Sequence, residues 1–198
     1  MKRILSTVTA LAISALSFAG GPKGDTYKID NELSSVEWVG KKVTGQHNGS
    51  IMLKEGNIMV ENGMISSGTI MMDMNTIVVE DIEDEGTNAK LKGHLMSDDF
   101  FGVEKNPTST FKITKVEKKE GELYHIHGDL TIKGITEKVA IPTTVKMEGN
   151  KLVAIGETEI DRTKFKIRYG SGKFFEDLGD KMIDDEFTIR FKVGAIKG

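Results

Sequence analysis

Tyr124-His-Ile126-His-Gly128-Asp-Leu130-Thr-Ile132-Lys133-Gly134-Ile135-Thr-Glu-Lys138-Val139-Ala-Ile141-Pro-Thr143-Thr-Val145-Lys-Met147 reads as two strands about a tight turn. Tyr124, Ile126, Gly128, Leu130 and Ile132 alternate with His125, His127, Asp129 and Thr131. Past the Lys133-Gly134 turn, Val139, Ile141, Thr143, Val145 and Met147 alternate with Lys138, Ala140, Pro142, Thr144 and Lys146. Successive side chains of a strand point to opposite faces, so each strand has one dry and one wet face.

The same pattern runs outward in both directions. Downstream, Glu148-Gly149-Asn150 turns the chain, Leu152 to Asp161 runs back, and Phe187, Ile189, Phe191 and Val193 alternate in a last strand. Upstream, Thr110 to Val116 is a strand and Met64 to Met74 another, preceded by the hairpin signal Glu61-Asn62-Gly63. Ile58 with Val60, Ile51 with Leu53, Ser34 to Val43 and Tyr27 to Ile29 complete the set. Turns are expected at Asp30-Asn31, Gly45 to Gly49 and Lys54 to Asn57. That makes eight or nine strands in a chain the size of one domain. A single antiparallel sheet closed on itself, dry inside, leaves no open edge. The fold class is therefore all-β, an eight-stranded antiparallel barrel.

One stretch breaks the alternation. Ala89 to Leu95 allows a short helix, which Asp98 and Asp99 end. Phe100 and Phe101 are neighbours, so no regular element buries both on one face. Asn106-Pro107 closes the segment. It reads as a short helix and a loop capping one end of the barrel.

Here the chain also resembles a known family. His94-Leu-x-Ser-x-Asp-Phe-Phe-x-Val-Glu-x-x-Pro-x-x-x-Phe111 is similar to the signature of the YceI-like family of secreted, lipocalin-like polyisoprenoid-binding proteins. Leu130-Thr-Ile-Lys-Gly-Ile-Thr-Glu-Lys-Val139 and Asp161-Arg-Thr-Lys-Phe165 resemble two later family segments, in the right order. The likeness spans roughly Tyr27 to Val193. It implies a lipocalin-like barrel holding a long isoprenoid or fatty chain, with no catalytic role and no other cofactor.

Lys2-Arg3 followed by the apolar and small residues Ile4 to Phe18 reads as a secretory signal peptide. The expected division is residues 1–20 as signal and 21–198 as the barrel domain, placed in the periplasm or secreted. No later stretch approaches a membrane span. Without Lys2 and Arg3, 25 basic side chains face 30 acidic ones, a net charge of −5, which argues against nucleic acid as partner. Cysteine is absent, so stability rests on the core rather than on disulfides. Homodimerisation is left open.

Catalytic signals are weak. His125 and His127 lie on the wet face; with His94 or His47 they could make a three-nitrogen metal site, and a metal-assisted hydrolase is the rival reading, but an exposed pair on a barrel exterior is most often plain surface. The acidic run Glu80 to Glu85 lacks the donor spacing of a calcium loop. No Gly-x-Ser-x-Gly elbow is present. A third reading is a solid-core barrel acting by surface contacts.

What remains is a cavity. Its expected ligand contacts are Trp38, Phe100, Phe101, Tyr124, Ile126, Leu130, Ile141, Phe165, Phe187 and Ile189, with Phe174 and Phe175 closing over the chain. Trp38 reads either as a cavity wall or as filler at the closed end. Arg162 and Lys164 lie in a cation-rich loop that could hold an anionic head group; alternatively Arg162 braces the strand end by pairing with a carboxylate. Met52, Met59, Met64, Met71, Met72 and Met74 either line the tube or fill gaps, although adjacent Met71 and Met72 cannot share a face.

Overall fold

Strands with one dry face must curl that face away from water, and this chain does so by closing its sheet. The computed structural model describes residues 24–198. The signal-peptide reading and the boundary after residue 20 lie outside those residues. Ten strands form: β1 (Asp25–Lys42), β2 (Gly45–Ser50), β3 (Leu53–Glu61), β4 (Met64–Asp73), β5 (Val78–Val79), β6 (Thr108–Lys118), β7 (Leu123–Ile132), β8 (Ile135–Glu148), β9 (Lys151–Asp161) and β10 (Ile183–Lys197). Helix α1 (Glu85–Met96) lies between β5 and β6.

Eight of the strands make the barrel. From β3 the ring runs through β4, β6, β7, β8, β9 and β10 to β1, and β1 pairs back to β3. All pairings are antiparallel. Strand β1 is long enough to serve two neighbours on one edge: Asp25 to Lys28 pair with β3, and Glu37 to Lys42 pair with β2. Strand β5 then adds to the outer edge of β2. The turns at Asn62-Gly63 and Lys133-Gly134 have positive φ at both central residues, as a two-residue hairpin matching the strand twist requires.

Two expected turns are strands instead. Gly45 to Ser50 is β2, and its Gly49 marks a close approach: a Cβ there would lie 1.9 Å from the Val78 carbonyl oxygen. Lys54 to Asn57 runs through β3, whose pairing with β1 and β4 overrides the local turn chemistry. The first break, at Asp30-Asn31, is a bulge inside one continuous β1. The Ser34 hydroxyl donates to the Asp30 carbonyl and accepts from the Gly194 amide, pinning that bulge to β10.

Helix α1 starts earlier than the sequence suggests because Asp84 caps it, accepting from the Thr87 amide at 2.8 Å. No residue of α1 is fully buried. Half-buried Leu95 and Met96 pack its last turn against the core, and its first turn is fastened by Asn88, which donates to the carbonyls of Val79 and Ile82. The barrel core is asymmetric along its axis. Tyr27, Val60, Tyr124, Val145, Leu152 and Ala195 fill one end. At the other end Phe100, Leu130, Ile132, Ile160, Phe165 and Ile167 form a separate cluster under the cap and the 162–182 loop.

Candidate functional site: an apolar cavity under a two-part cap

Between those clusters lies a cavity of about 210 Å³. Its wall is built from alternate residues of the closed sheet. Ile126, Leu130, Ile141, Phe187 and Ile189 line it, as do Trp38, Phe100 and Phe101. Among the described residues only three charged ones reach it, namely Arg162, Asp184 and Glu186. Asp184 and Glu186 are exposed, so the cavity meets solvent where β10 begins. None of the six residues filling the far end lines it, and that end is closed.

The cap is made by the bend after α1. The amides of Phe101 and Gly102 donate to the carbonyls of Leu95 and Ser97, and this reversal turns both neighbouring phenylalanines toward the barrel. Phe100 is buried and Phe101 meets the Phe187 ring edge-on at 6.4 Å. The regular-element argument against burying adjacent rings is thus met by a bend. His94 ties the two parts of the cap together. Its ring stands edge-on to Phe100 at 4.9 Å and to Tyr169 at 4.5 Å, joining α1 to the 162–182 loop.

Trp38 lies in the cavity half, opposite Gly49 and Ile189, and not at the closed end. Its Nε1 has no hydrogen-bond partner. Tyr124 is displaced from its expected role: it fills the closed end, with the Lys118 ammonium 6.0 Å from its ring centre. Phe165 is buried in the cap-side cluster behind the wall. Lys164, Phe174 and Phe175 are exposed and do not line the cavity. Of the clustered methionines, Met72 and Met74 line it, whereas Met52 and Met64 face solvent and Met59 accepts from the Thr26 hydroxyl.

The head-group role expected for Arg162 is corrected by its geometry. The residue is only 4% exposed. Its guanidinium donates to four backbone carbonyls, Asp184 at 2.8 Å, Ile167 at 3.0 Å, Tyr169 at 2.8 Å and Ile183 at 2.9 Å. Asp185 stands 3.8 Å away. Burial lowers the Arg162 pKa from its ordinary value, against the opposing pull of Asp185, Asp161 and Asp184. It remains the cation that holds the 162–182 loop onto β10. Asp161 belongs to the same brace. Burial pushes its carboxyl up, but the Thr163 hydroxyl and amide and the Lys173 ammonium outweigh that and hold it below the usual range.

Phe111 was missed by the sequence reading, and it shares one signal with Phe191, which the alternation of the last strand already turns inward. Phe111 and Phe191 line the cavity by lying over glycines of the neighbouring strands: a Cβ on Gly128 would be 2.3 Å from the Phe111 ring, and one on Gly156 would be 2.6 Å from Phe191. Inward glycines beside inward phenylalanines are visible in the alternation, but only once the pairing is known. His125 and His127 project from the outer face, where His127 lies 3.5 Å from Glu117. Among the described residues no three His, Asp or Glu side chains converge as a metal site requires. In the acidic run, Glu80 takes the Ser50 hydroxyl, Asp81 takes the His47 ring and Asp84 caps α1. No helix among the described residues is long and apolar enough to cross a membrane.

Known proteins share this arrangement. The chain is 34% identical to a UPF0312 protein of Pseudomonas paraeruginosa over 155 residues, 73% of this chain and 74% of the relative. The crystal structure of BcnA from Burkholderia cenocepacia superposes with a TM-score of 0.69 at 24% identity, covering 84% of this chain and 99% of that one. A polyisoprenoid-binding domain from Saccharophagus degradans does so with a TM-score of 0.63 at 12% identity, covering 87% and 98%. The YceI-like domain family matches residues 27–195, and with that match and that relative the chain belongs to the YceI-like family.

Proposed function

We propose that the protein is an extracytoplasmic carrier or sequestering protein for one long-chain lipid, an isoprenoid or a similar fatty chain, held in the barrel cavity. The observation that carries this reading is the cavity itself: walled by apolar side chains, closed at one end and open at the other. Such a wall gains from any chain it takes out of water, by about 0.8 kcal/mol per buried methylene. About a dozen buried methylenes would gain roughly 10 kcal/mol, set against about 4–15 kcal/mol lost in association, so net binding requires a cost in the lower part of that range or a longer buried chain. The name of the Saccharophagus degradans neighbour, a polyisoprenoid-binding domain, supports the class of ligand.

The geometry favours a neutral polar end. Among the described residues the one cation lining the cavity is spent on carbonyls, and the two charged residues at the mouth are carboxylates. Binding needs no bond to be made or broken, and the site offers no nucleophile beside a base; the reading is of a binding protein. The leader expected at residues 1–20 supports an extracytoplasmic setting. Organic extraction of the purified protein followed by mass spectrometry tests this. A long-chain neutral lipid near one equivalent is expected. Protein that yields none, and that takes up no added polyprenyl compound, refutes it.

A further inference from the structure

A second feature gathers at the mouth end. Five large apolar side chains are exposed there: Val43, Tyr169, Phe174, Phe175 and Met182, with Phe174 at 43%, Phe175 at 50% and Val43 at 55%. They include every exposed aromatic among the described residues. They sit on two loops joined to each other, since the Val43 amide donates to the Met182 carbonyl. The Met182 side chain lies across Gly172, two residues before Phe174 in the same loop. Residues 183 and 184, which follow Met182 directly, line the cavity.

The charge around these tips is not that of the whole chain. Arg162 is buried, and the exposed side chains of residues 164–186 carry five basic and five acidic groups; with the exposed Lys41 and Lys42 of the adjoining hairpin this leaves two cations in excess, in a chain of net charge −3. Lys173 is tied to Asp161 and Asp185. Lys164, Lys166 and Lys181 are exposed, as are Lys41 and Lys42 on the adjoining hairpin. The Arg168 guanidinium lies 4.5 Å from the Phe174 ring centre, which sets a cation directly beside an exposed aromatic. Exposed aromatics flanked by free lysines and an arginine are the pattern of a surface that dips into the headgroup layer of an acidic membrane.

We propose that these two loop tips are a docking surface for a lipid bilayer bearing anionic headgroups, seating the mouth of the barrel against the membrane. A protein partner fits less well. A specific protein interface takes about 800 Å² per side, and these side chains sit on narrow tips rather than on a broad sheet face. The purpose of the contact rests on the lipid-carrier reading: a chain too apolar for water can leave the bilayer through a mouth pressed against it. Anionic headgroups are assigned to the bilayer and not to the bound ligand.

Vesicle flotation tests this with the full chain. Wild type is compared on vesicles of phosphatidylcholine alone and of phosphatidylcholine with one third phosphatidylglycerol. Two variants in the same chain follow, Phe174→Ser with Phe175→Ser and Lys164→Glu with Lys166→Glu. All four positions are exposed, so unfolding midpoints should match wild type. Wild type should partition at least about tenfold more strongly to the anionic vesicles, and each pair should lose about tenfold or more of that binding. Salt near 1 M, where the Debye length is about 3 Å, should weaken wild type and leave the charge-reversed pair little changed. Because any N-terminal apolar segment is common to all three proteins, only the difference between them is scored. Equal partitioning of wild type and both variants, or indifference to phosphatidylglycerol, overturns the docking surface. Organic extraction of the same samples reports on the carrier reading separately.

Discussion

Arg162→Ala should destabilise the protein strongly without making lipid binding selective by head group. Four carbonyls would lose their donor at once, that of Ile167 buried and those of Tyr169, Ile183 and Asp184 partly buried. A hydrogen bond to a charged group contributes about 1.5–3 kcal/mol, and the four are not additive because a collapsing loop lets water reach some of them. Removing one partner from a buried charged network typically costs about 3–5 kcal/mol, and that is the expected loss. For a domain of this size it corresponds to roughly 6–20 °C in the thermal midpoint. Urea unfolding followed by far-ultraviolet circular dichroism, with an unchanged slope, gives the free energy. Arg162→Lys should rescue only part of it, since one ammonium cannot fork to four acceptors divided between the loop and β10. Extracted or added lipids of equal chain length, one neutral and one anionic, should then be retained by the variant in the same ratio as by wild type. A variant that unfolds within about 1 kcal/mol of wild type yet loses the anionic lipid alone would show that the guanidinium serves a head group and that the brace described above is wrong.

Ala154 lines the cavity next to its closed end, one inward position from Leu152 on β9. Ala154→Phe should lower the lipid recovered by extraction several-fold, while fold is kept at a cost of at most about 1–3 kcal/mol for overpacking; unchanged lipid content would refute the assigned bore. Trp38 is the single tryptophan and lines the cavity, so its emission should shift to shorter wavelength as added polyprenyl chains displace water; a titration with no spectral change would place the ligand elsewhere. Asp161 is held below the usual carboxylate range in the folded state. Its stabilising effect is therefore fully present above the unfolded value of about 3.9 and is lost as pH falls through the lower folded value. Stability measured downward from about pH 4 should fall in wild type and fall less steeply in Asp161→Asn; parallel curves would reject the brace.

Much of the barrel was legible because its strands have only one dry face. Leu123 to Glu148 folds as read, turn included, since alternation and a two-residue hairpin agree there. Gly45 to Asn57 misled because turn-forming residues were placed there for close backbone approach and for a shared strand edge, causes that appear only when β5 and β1 arrive. Within the site, Ile126, Leu130, Ile141, Phe187 and Ile189 follow from the period alone. Tyr124 satisfies the same period and still misses the cavity, because alternation gives the face of a strand and not the depth along the barrel. Arg162 was open between two roles, and the choice turned in part on the carbonyls of residues 183 and 184, 21 and 22 residues away across the loop.

Depth is set instead by which side chains sit opposite one another. At the closed end, inward positions carry Tyr27 and Tyr124 beside Leu152 and Val145, and these bulky groups meet across the axis and leave no room. In the cavity half the large rings have somewhere else to go. Phe111 lies over Gly128 and Phe191 over Gly156, so each ring occupies space that a neighbouring side chain has vacated on the wall. A small eight-stranded barrel has an interior just wide enough to be filled by its own side chains or to hold one slender ligand. In this chain both outcomes occur in the same barrel, and the inward glycines on β7 and β9 separate them. They allow the wall to be aromatic and apolar without closing the bore. That is the physical reason a sequence with the alternation of a solid core can enclose a tube.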